Sequence, residues 1–242
     1  MDKKEENSLV WKVLRDESKN QELGLLGRLG SLTLFFGNKN FSEELFSEYF
    51  PHAELLKIKQ VHGTSLVLAS HELQEADAHF SASSHCALQI KTADCIPLLA
   101  FSSERKIIMS IHAGWRGVVG KIAELAMEAM QQKGVNPSEI KVVIGPHIRK
   151  QSFEVDQPVW VQLMDSIPVD FHHEFTQYFE QTAHGKYYVD LEGIVKLQLR
   201  HKGIMESKIE SIPYDTLTDF RWHSFRRDRE LSGRNISFIM RT

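Results

Sequence analysis

The stretch Lys91-Thr-Ala-Asp-Cys95-Ile-Pro-Leu-Leu-Ala-Phe-Ser-Ser-Glu-Arg-Lys-Ile-Ile-Met-Ser-Ile-His112-Ala-Gly-Trp-Arg116-Gly117 decides how this chain is read. Two short apolar runs, 96–101 and 107–111, flank a polar turn at 102–106. That is the pattern of a β-hairpin. Cys95 stands just before the first run and His112 just after the second. An even turn, with Ser103-Glu104 as a two-residue loop, pairs residue 102 with 105 and sets residue 95 opposite 112. Directly opposed residues have Cβ atoms roughly 4.5–5.5 Å apart on one face. Both side chains can then hold one metal or form a thiol–imidazole pair. An odd turn would put them on opposite faces. The plainer alternative is a buried cysteine beside a satisfied core histidine.

The 242 residues suffice for a proper core. We expect a frayed terminus at 1–8 and a single domain over 9–242. The formal charge of −3 argues against nucleic acid as a partner but permits a local anion pocket. Cys86 and Cys95 are the only cysteines, which gives no disulfide framework and suits a reducing cytoplasm. No run approaches the ~18 apolar residues that span a bilayer, and no signal-peptide core is visible. The expected state is a monomer.

Along the chain, strands are expected at 10–14, 32–36, 55–61, 65–69, 86–90, 140–144, 209–213 and 236–240. The glycine-punctuated Gly24–Gly30 lacks the context of a dinucleotide-binding loop. Ser42 starts a short helix that Pro51 ends. Ala76-Asp77-Ala78 reads as a short acidic turn. One helix follows Gly114-Trp115-Arg116-Gly117 and runs to about Gln132, with Gly134 closing it. Its glycines let backbone N–H groups approach a ligand, and Arg116 adds a fork suited to phosphate. A surface arginine beside a packed tryptophan is the competing view. Further helices begin near Pro158 and after Asp190, with a short aromatic one at 170–180. Arg221, Arg226 and Arg227 near the C-terminus, with His223 and Ser224, form either a second anion patch or a solvated basic turn paired to Asp219 and Asp228. The mixture of strands and helices without a parallel rhythm makes the fold class α+β or mixed α/β.

His62, Cys95 and His112 form a plausible catalytic zinc set, with a fourth position left for water or substrate. Without metal, Cys95 and His112 make a nucleophile–base pair with Asp94 or His62 as orienter. Copper fits less well: there are no His-x-His pairs, and Met109 falls on the strand face opposite His112.

These residues also carry a resemblance. Lys59-Gln-Val-His62-Gly63, Thr92-Ala-Asp-Cys95-Ile-Pro97, Ile111-His112-Ala-Gly-Trp-Arg116-Gly117, Ile144-Gly-Pro-His-Ile148, Phe153-Glu-Val155 and Ser224-Phe-Arg-Arg-Asp228 resemble the YfiH-type laccase-domain family. It is also called the polyphenol oxidase or purine nucleoside phosphorylase family. The resemblance runs from about residue 55 onward. It implies a mixed β-sandwich flanked by helices, similar to the cytotoxic-necrotizing-factor catalytic fold and to a cysteine hydrolase fold. It implies zinc on His62, Cys95 and His112. It further implies phosphorolysis of adenosine, inosine and methylthioadenosine to base and ribose 1-phosphate, with adenosine deamination as a second activity. The laccase name disagrees with the histidine census.

On that footing, phosphate would sit at Gly114–Gly117 with Arg116, joined by Arg226. Asp94 or Glu154 would carry a proton, and Trp115 or Phe153 would stack on the base. Two other functions stay open: a metal-free Cys–His hydrolase acting on an amide or cell-wall precursor, and a zinc-stabilised interaction domain. Two features depart from the family. The Thr-Arg-x-Gly-Gly-x-Ser arm is shortened to Gly27–Ser31, and Asp215 stands where the family has a cysteine.

Overall fold

The computed structural model describes residues 8–242, so the frayed terminus expected at 1–8 lies outside them except for Ser8. In chain order the strands are Val10–Asp16 (β1), Gln21–Leu29 (β2), Leu32–Gly37 (β3), Glu54–Leu56 (β4), Leu66–Leu68 (β5), Ala78–Ser81 (β6), Cys86–Thr92 (β7), Ile96–Ser102 (β8), Ile107–Ala113 (β9), Lys141–Ile144 (β10), Glu154–Val155 (β11), Phe179–Gln181 (β12), Tyr187–Val189 (β13), Ile209–Ser211 (β14) and Asn235–Arg241 (β15). The α-helices are Glu43–Tyr49 (α1), Trp115–Val119 (α2), Ile122–Gln132 (α3), Gln157–Asp165 (α4), Leu191–His201 (α5) and Phe225–Asp228 (α6). The 170–180 segment is a 3₁₀ helix, Val169–Tyr178.

One six-stranded sheet has the order β1-β2-β3-β15-β7-β4, and a second has β14-β10-β8-β9-β6-β5. Most neighbours are antiparallel, but β4–β7, β5–β6 and β10–β14 are parallel. The fold is therefore mixed, α+β and rich in sheet.

The sheets pack face to face. Leu34, Phe36, Leu88 and Ile239 of the first sheet meet Leu99, Phe101, Ile108 and Val143 of the second. The other face of the second sheet, through Leu98, Met109 and Ile111, packs on Ala126, Met130, Ile194 and Leu197 of α3 and α5. The outer face of the first sheet is covered by Phe41, Phe46 and Phe50, clustered with Phe35 and Phe238. Each such side chain contributes about 1.5–3 kcal/mol of burial. Because β8 and β9 are covered on both faces, they read as continuous apolar runs and not as alternating ones.

The β8–β9 register differs from expectation. Ser102 pairs with Ile107 and Pro97 with His112, so the loop has four residues, 103–106. The turn is even, as required, but the pairing is displaced by two. Cys95 is thus diagonal to His112 on the same face, not directly opposite.

Gly24–Gly30 lies mostly within β2, in keeping with its exclusion as a dinucleotide-binding loop. Two other local readings change. The strand expected at 55–61 ends at Leu56, leaving 57–64 as loop. The single helix expected to reach Gln132 is two, α2 and α3, broken at Gly120 and Lys121, where Lys121 has φ 60.

Candidate metal centre

His62, Cys95 and His112 converge. Their donor atoms all lie within 4.8 Å of one another, the only such cluster of three among the described residues. Cys95 precedes β8, and His112 is the penultimate residue of β9. His62 comes from the loop beyond β4, with its ring centroid 4.7 Å from that of His112 and the planes at 86°. His112 is buried, Cys95 half-buried and His62 exposed, so the cluster opens towards solvent on one side.

What holds the three together is Asp77, which is fully buried rather than part of an exposed acidic turn. One carboxylate oxygen accepts His112 Nδ1 at 2.7 Å and the His62 amide at 3.0 Å. The other accepts the Gly63 amide at 2.6 Å and the Val61 amide at 3.3 Å. The carbonyl of Asp77 also accepts the His112 amide at 2.7 Å. This pins His62 in a left-handed conformation, φ 59. Asp77, not Asp94 or His62, is therefore the orienter of His112. The one signal in the sequence was a carboxylate set directly between two alanines, Ala76 and Ala78.

With Nδ1 committed to Asp77, His112 presents Nε2 to the cluster. Burial opposes its charged form, but Asp77 and Cys95 outweigh burial and lift the imidazole to about 9. Burial pushes the Cys95 thiol up, and the two histidines more than reverse this, bringing it down to about 6. Both shifts favour a thiolate beside an imidazolium in the metal-free cluster. A cation would displace the imidazolium proton and find one thiolate and two neutral imidazoles.

Space for an ion is set by Gly114. A Cβ there would lie 3.1 Å from Cys95 Sγ, 3.1 Å from His62 Cδ2 and 3.8 Å from His112 Nε2. Glycine leaves open the volume that the three donors surround, and the donor set suits a soft to borderline divalent ion. Other glycines of this segment serve the His62 loop: a Cβ at Gly120 would meet Thr64 Cγ2 at 2.5 Å, and one at Gly117 would meet the Gly63 carbonyl at 3.3 Å.

The anion-binding candidates are placed as follows. Arg116 is exposed, with its guanidinium 4.3 Å from the ring centroid of half-buried Trp115. Arg226 lies over buried Phe153 at 5.5 Å and donates to the Glu154 carbonyl at 2.9 Å. Glu154 itself is half-buried and faces Lys186 at 3.5 Å. Arg221 pairs with Asp219 at the surface, whereas Arg227, beside Asp228, also donates to the carbonyls of Thr216, Leu217 and Trp222 and so ties the turn together inside the fold. The Asp94 carboxylate accepts the Thr216 hydroxyl and the Arg226 amide. Asp215 holds Ser152 Oγ at 2.5 Å and the Leu217 amide at 3.0 Å, so its charge is engaged inside the fold.

The model of one protein family, described as multi-copper polyphenol oxidoreductase laccase, matches residues 38–242. The chain belongs to this family. Proteins named purine nucleoside phosphorylase are similar to it. One from Rickettsia conorii is 30% identical over 195 residues, covering 78% of each chain. One from Deinococcus radiodurans is 31% identical over 191 residues, covering 78% of this chain and 71% of the relative. In fold it is similar to YlmD from Geobacillus stearothermophilus (TM-score 0.83, 23% identity, 95% and 98% of the two chains covered). It also resembles the hypothetical protein YfiH of Bacillus licheniformis (TM-score 0.82, 21% identity, 90% and 96% covered). The laccase-family match thus begins before residue 55, where the sequence motifs start.

Proposed function

We propose that the chain is a zinc-dependent purine nucleoside phosphorylase. It would cleave adenosine, inosine or methylthioadenosine with phosphate to free base and ribose 1-phosphate, and deaminate adenosine as a second activity. The observation that carries this reading is the His62–Cys95–His112 cluster, cradled by Gly114 and exposed on the His62 side. The names of its relatives agree with it.

When bound, zinc supplies a Lewis acid at neutral pH. Arg116 and Arg226 hold the phosphate. Its oxygen forms the bond to ribose C1′ as the bond from C1′ to the base breaks, and the base leaves with the proton that the phosphate gives up. Trp115, half-buried beside the cluster, stacks on the purine. In deamination, water replaces the 6-amino group, which leaves as ammonia, and Glu154 carries the proton. Cys95 must stay reduced, which suits the reducing cytoplasm we propose for this protein.

A second reading has its own support. Cys95, His112 and Asp77 stand in the order nucleophile, base and orienter, as a metal-free hydrolase would need. A purely structural zinc is less favoured, because such sites are closed by four protein ligands. Product analysis with nucleoside and phosphate, with and without added zinc, separates these readings. Phosphate-dependent base release that requires zinc supports the first, and amide hydrolysis by metal-free protein supports the second.

A further inference from the structure

Asp94 is where three distant parts of the chain meet. Its carbonyl accepts the Ile148 amide at 3.0 Å. One carboxylate oxygen accepts the hydroxyl of fully buried Thr216 at 2.7 Å, and the other accepts the Arg226 amide at 2.6 Å. The backbone of Asp94 is left-handed, φ 81, which a residue other than glycine holds only where its surroundings over-determine it. The next residue is Cys95, so the same bonds that hold Asp94 fix the turn that aims the thiol.

The Arg226 amide belongs to the first turn of α6, where amides have no partner within the helix and a carboxylate is favourable. The Arg226 guanidinium is steadied by the Phe153 ring and the Glu154 carbonyl. No ion pair joins it to a carboxylate among the described residues. Its remaining donors are left for an anion.

We propose that Asp94 is a positioning residue and not a proton carrier: it ties the Arg226 backbone to the Cys95 turn, so that the base of the anion-holding side chain keeps a fixed place relative to that turn. Both carboxylate oxygens already accept hydrogen bonds from groups fixed by the fold. That the anion is phosphate rests on the phosphorylase reading.

The test uses the zinc-loaded full chain with Asp94→Asn, Thr216→Val and Thr216→Ser. Inorganic phosphate is titrated calorimetrically, and KM for phosphate and kcat are measured with inosine. Asp94→Asn turns one acceptor into an amide donor and is expected to weaken phosphate on the order of tenfold or more, in both Kd and KM. Over the same change, kcat should fall proportionally less. Thr216→Val should move phosphate affinity in the same direction by less, and Thr216→Ser should restore it.

A kcat loss on the order of 10²–10⁴-fold with phosphate affinity unchanged would make Asp94 an acid–base residue and overturn the proposal. Unchanged phosphate affinity in both Asp94→Asn and Thr216→Val would overturn it as well. If Asp94→Asn does not fold, the Thr216 pair decides. If the wild-type protein binds phosphate but forms no ribose 1-phosphate, the phosphorylase reading fails while calorimetry still judges the tether. A wild-type protein that binds no phosphate removes the anion role of Arg226.

Discussion

Asp77 and His112 are joined twice, by a 2.7 Å bond from imidazole Nδ1 to the carboxylate and by a 2.7 Å bond between their backbones. The same carboxylate holds the amides of His62 and Gly63. One buried acid therefore fixes two of the three candidate ligands, one through its ring and one through its main chain.

Replacing Asp77 tests that arrangement. Asp77→Asn is expected to lower zinc affinity about 10–100-fold, the scale of losses when a ligand's orienting partner is removed. Asp77→Ala also strands the loop amides and should cost about 3–5 kcal/mol of stability. Chelator competition reads the first effect and urea unfolding the second.

Cys95 gives a pH signature. In the metal-free protein its alkylation by iodoacetamide should rise through about pH 6, well below the ordinary range of a thiol. Below that midpoint the thiol is protonated and slow; above it the thiolate is the reacting form. Saturating zinc should suppress the reaction. Mass spectrometry of the labelled peptide distinguishes Cys95 from buried Cys86.

Gly114→Ala keeps a backbone conformation that alanine tolerates, φ −72. Its methyl group would press on Cys95 Sγ and His62 Cδ2. Zinc binding should weaken about tenfold or more, as when ligand geometry is disturbed, while the unfolding midpoint of the metal-free protein barely moves. Metal analysis after gel filtration checks the first part and thermal unfolding the second.

His79 makes stability depend on acid. Burial holds its imidazole down to about 4, with the Gln89 carbonyl opposing that shift. The unfolded state therefore binds a proton that the folded state refuses between the ordinary histidine value of 6.5 and about 4. The contribution of His79 is complete above 6.5 and is lost as the pH falls through that window, on the order of 3 kcal/mol in all. His147, also lowered chiefly by burial, acts in the same direction. Urea midpoints taken from pH 7 to 4 should fall, and His79→Leu should flatten part of that slope.

Local chemistry made much of this fold legible. The apolar runs of β8 and β9, the Asp190 cap on the Gly193 amide and the proline at the start of α4 are signals carried by neighbouring residues. Cys95, His112 and His62 were legible as a set because a same-face hairpin and a histidine–glycine loop are also local patterns.

Asp77 was hidden because its partners lie 35 residues away at His112 and 14 to 16 residues away at Val61–Gly63. The two-residue register displacement turned on a four-residue loop in which Lys106 takes φ 56, and its sequence does not announce that conformation. The break between α2 and α3 follows from tertiary packing: Thr64 occupies the space beside Gly120, and the chain turns at Lys121.

On the reading proposed above, the His62–Cys95–His112 cluster serves phosphorolysis. Zinc-loaded protein incubated with inosine, with and without phosphate, tests it most directly, with Cys95→Ala in parallel and the sugar product identified by mass. We expect hypoxanthine and ribose 1-phosphate only when phosphate is present, and loss of both products in Cys95→Ala. Base release that ignores phosphate, or phosphorolysis that persists in Cys95→Ala without metal, would contradict the account.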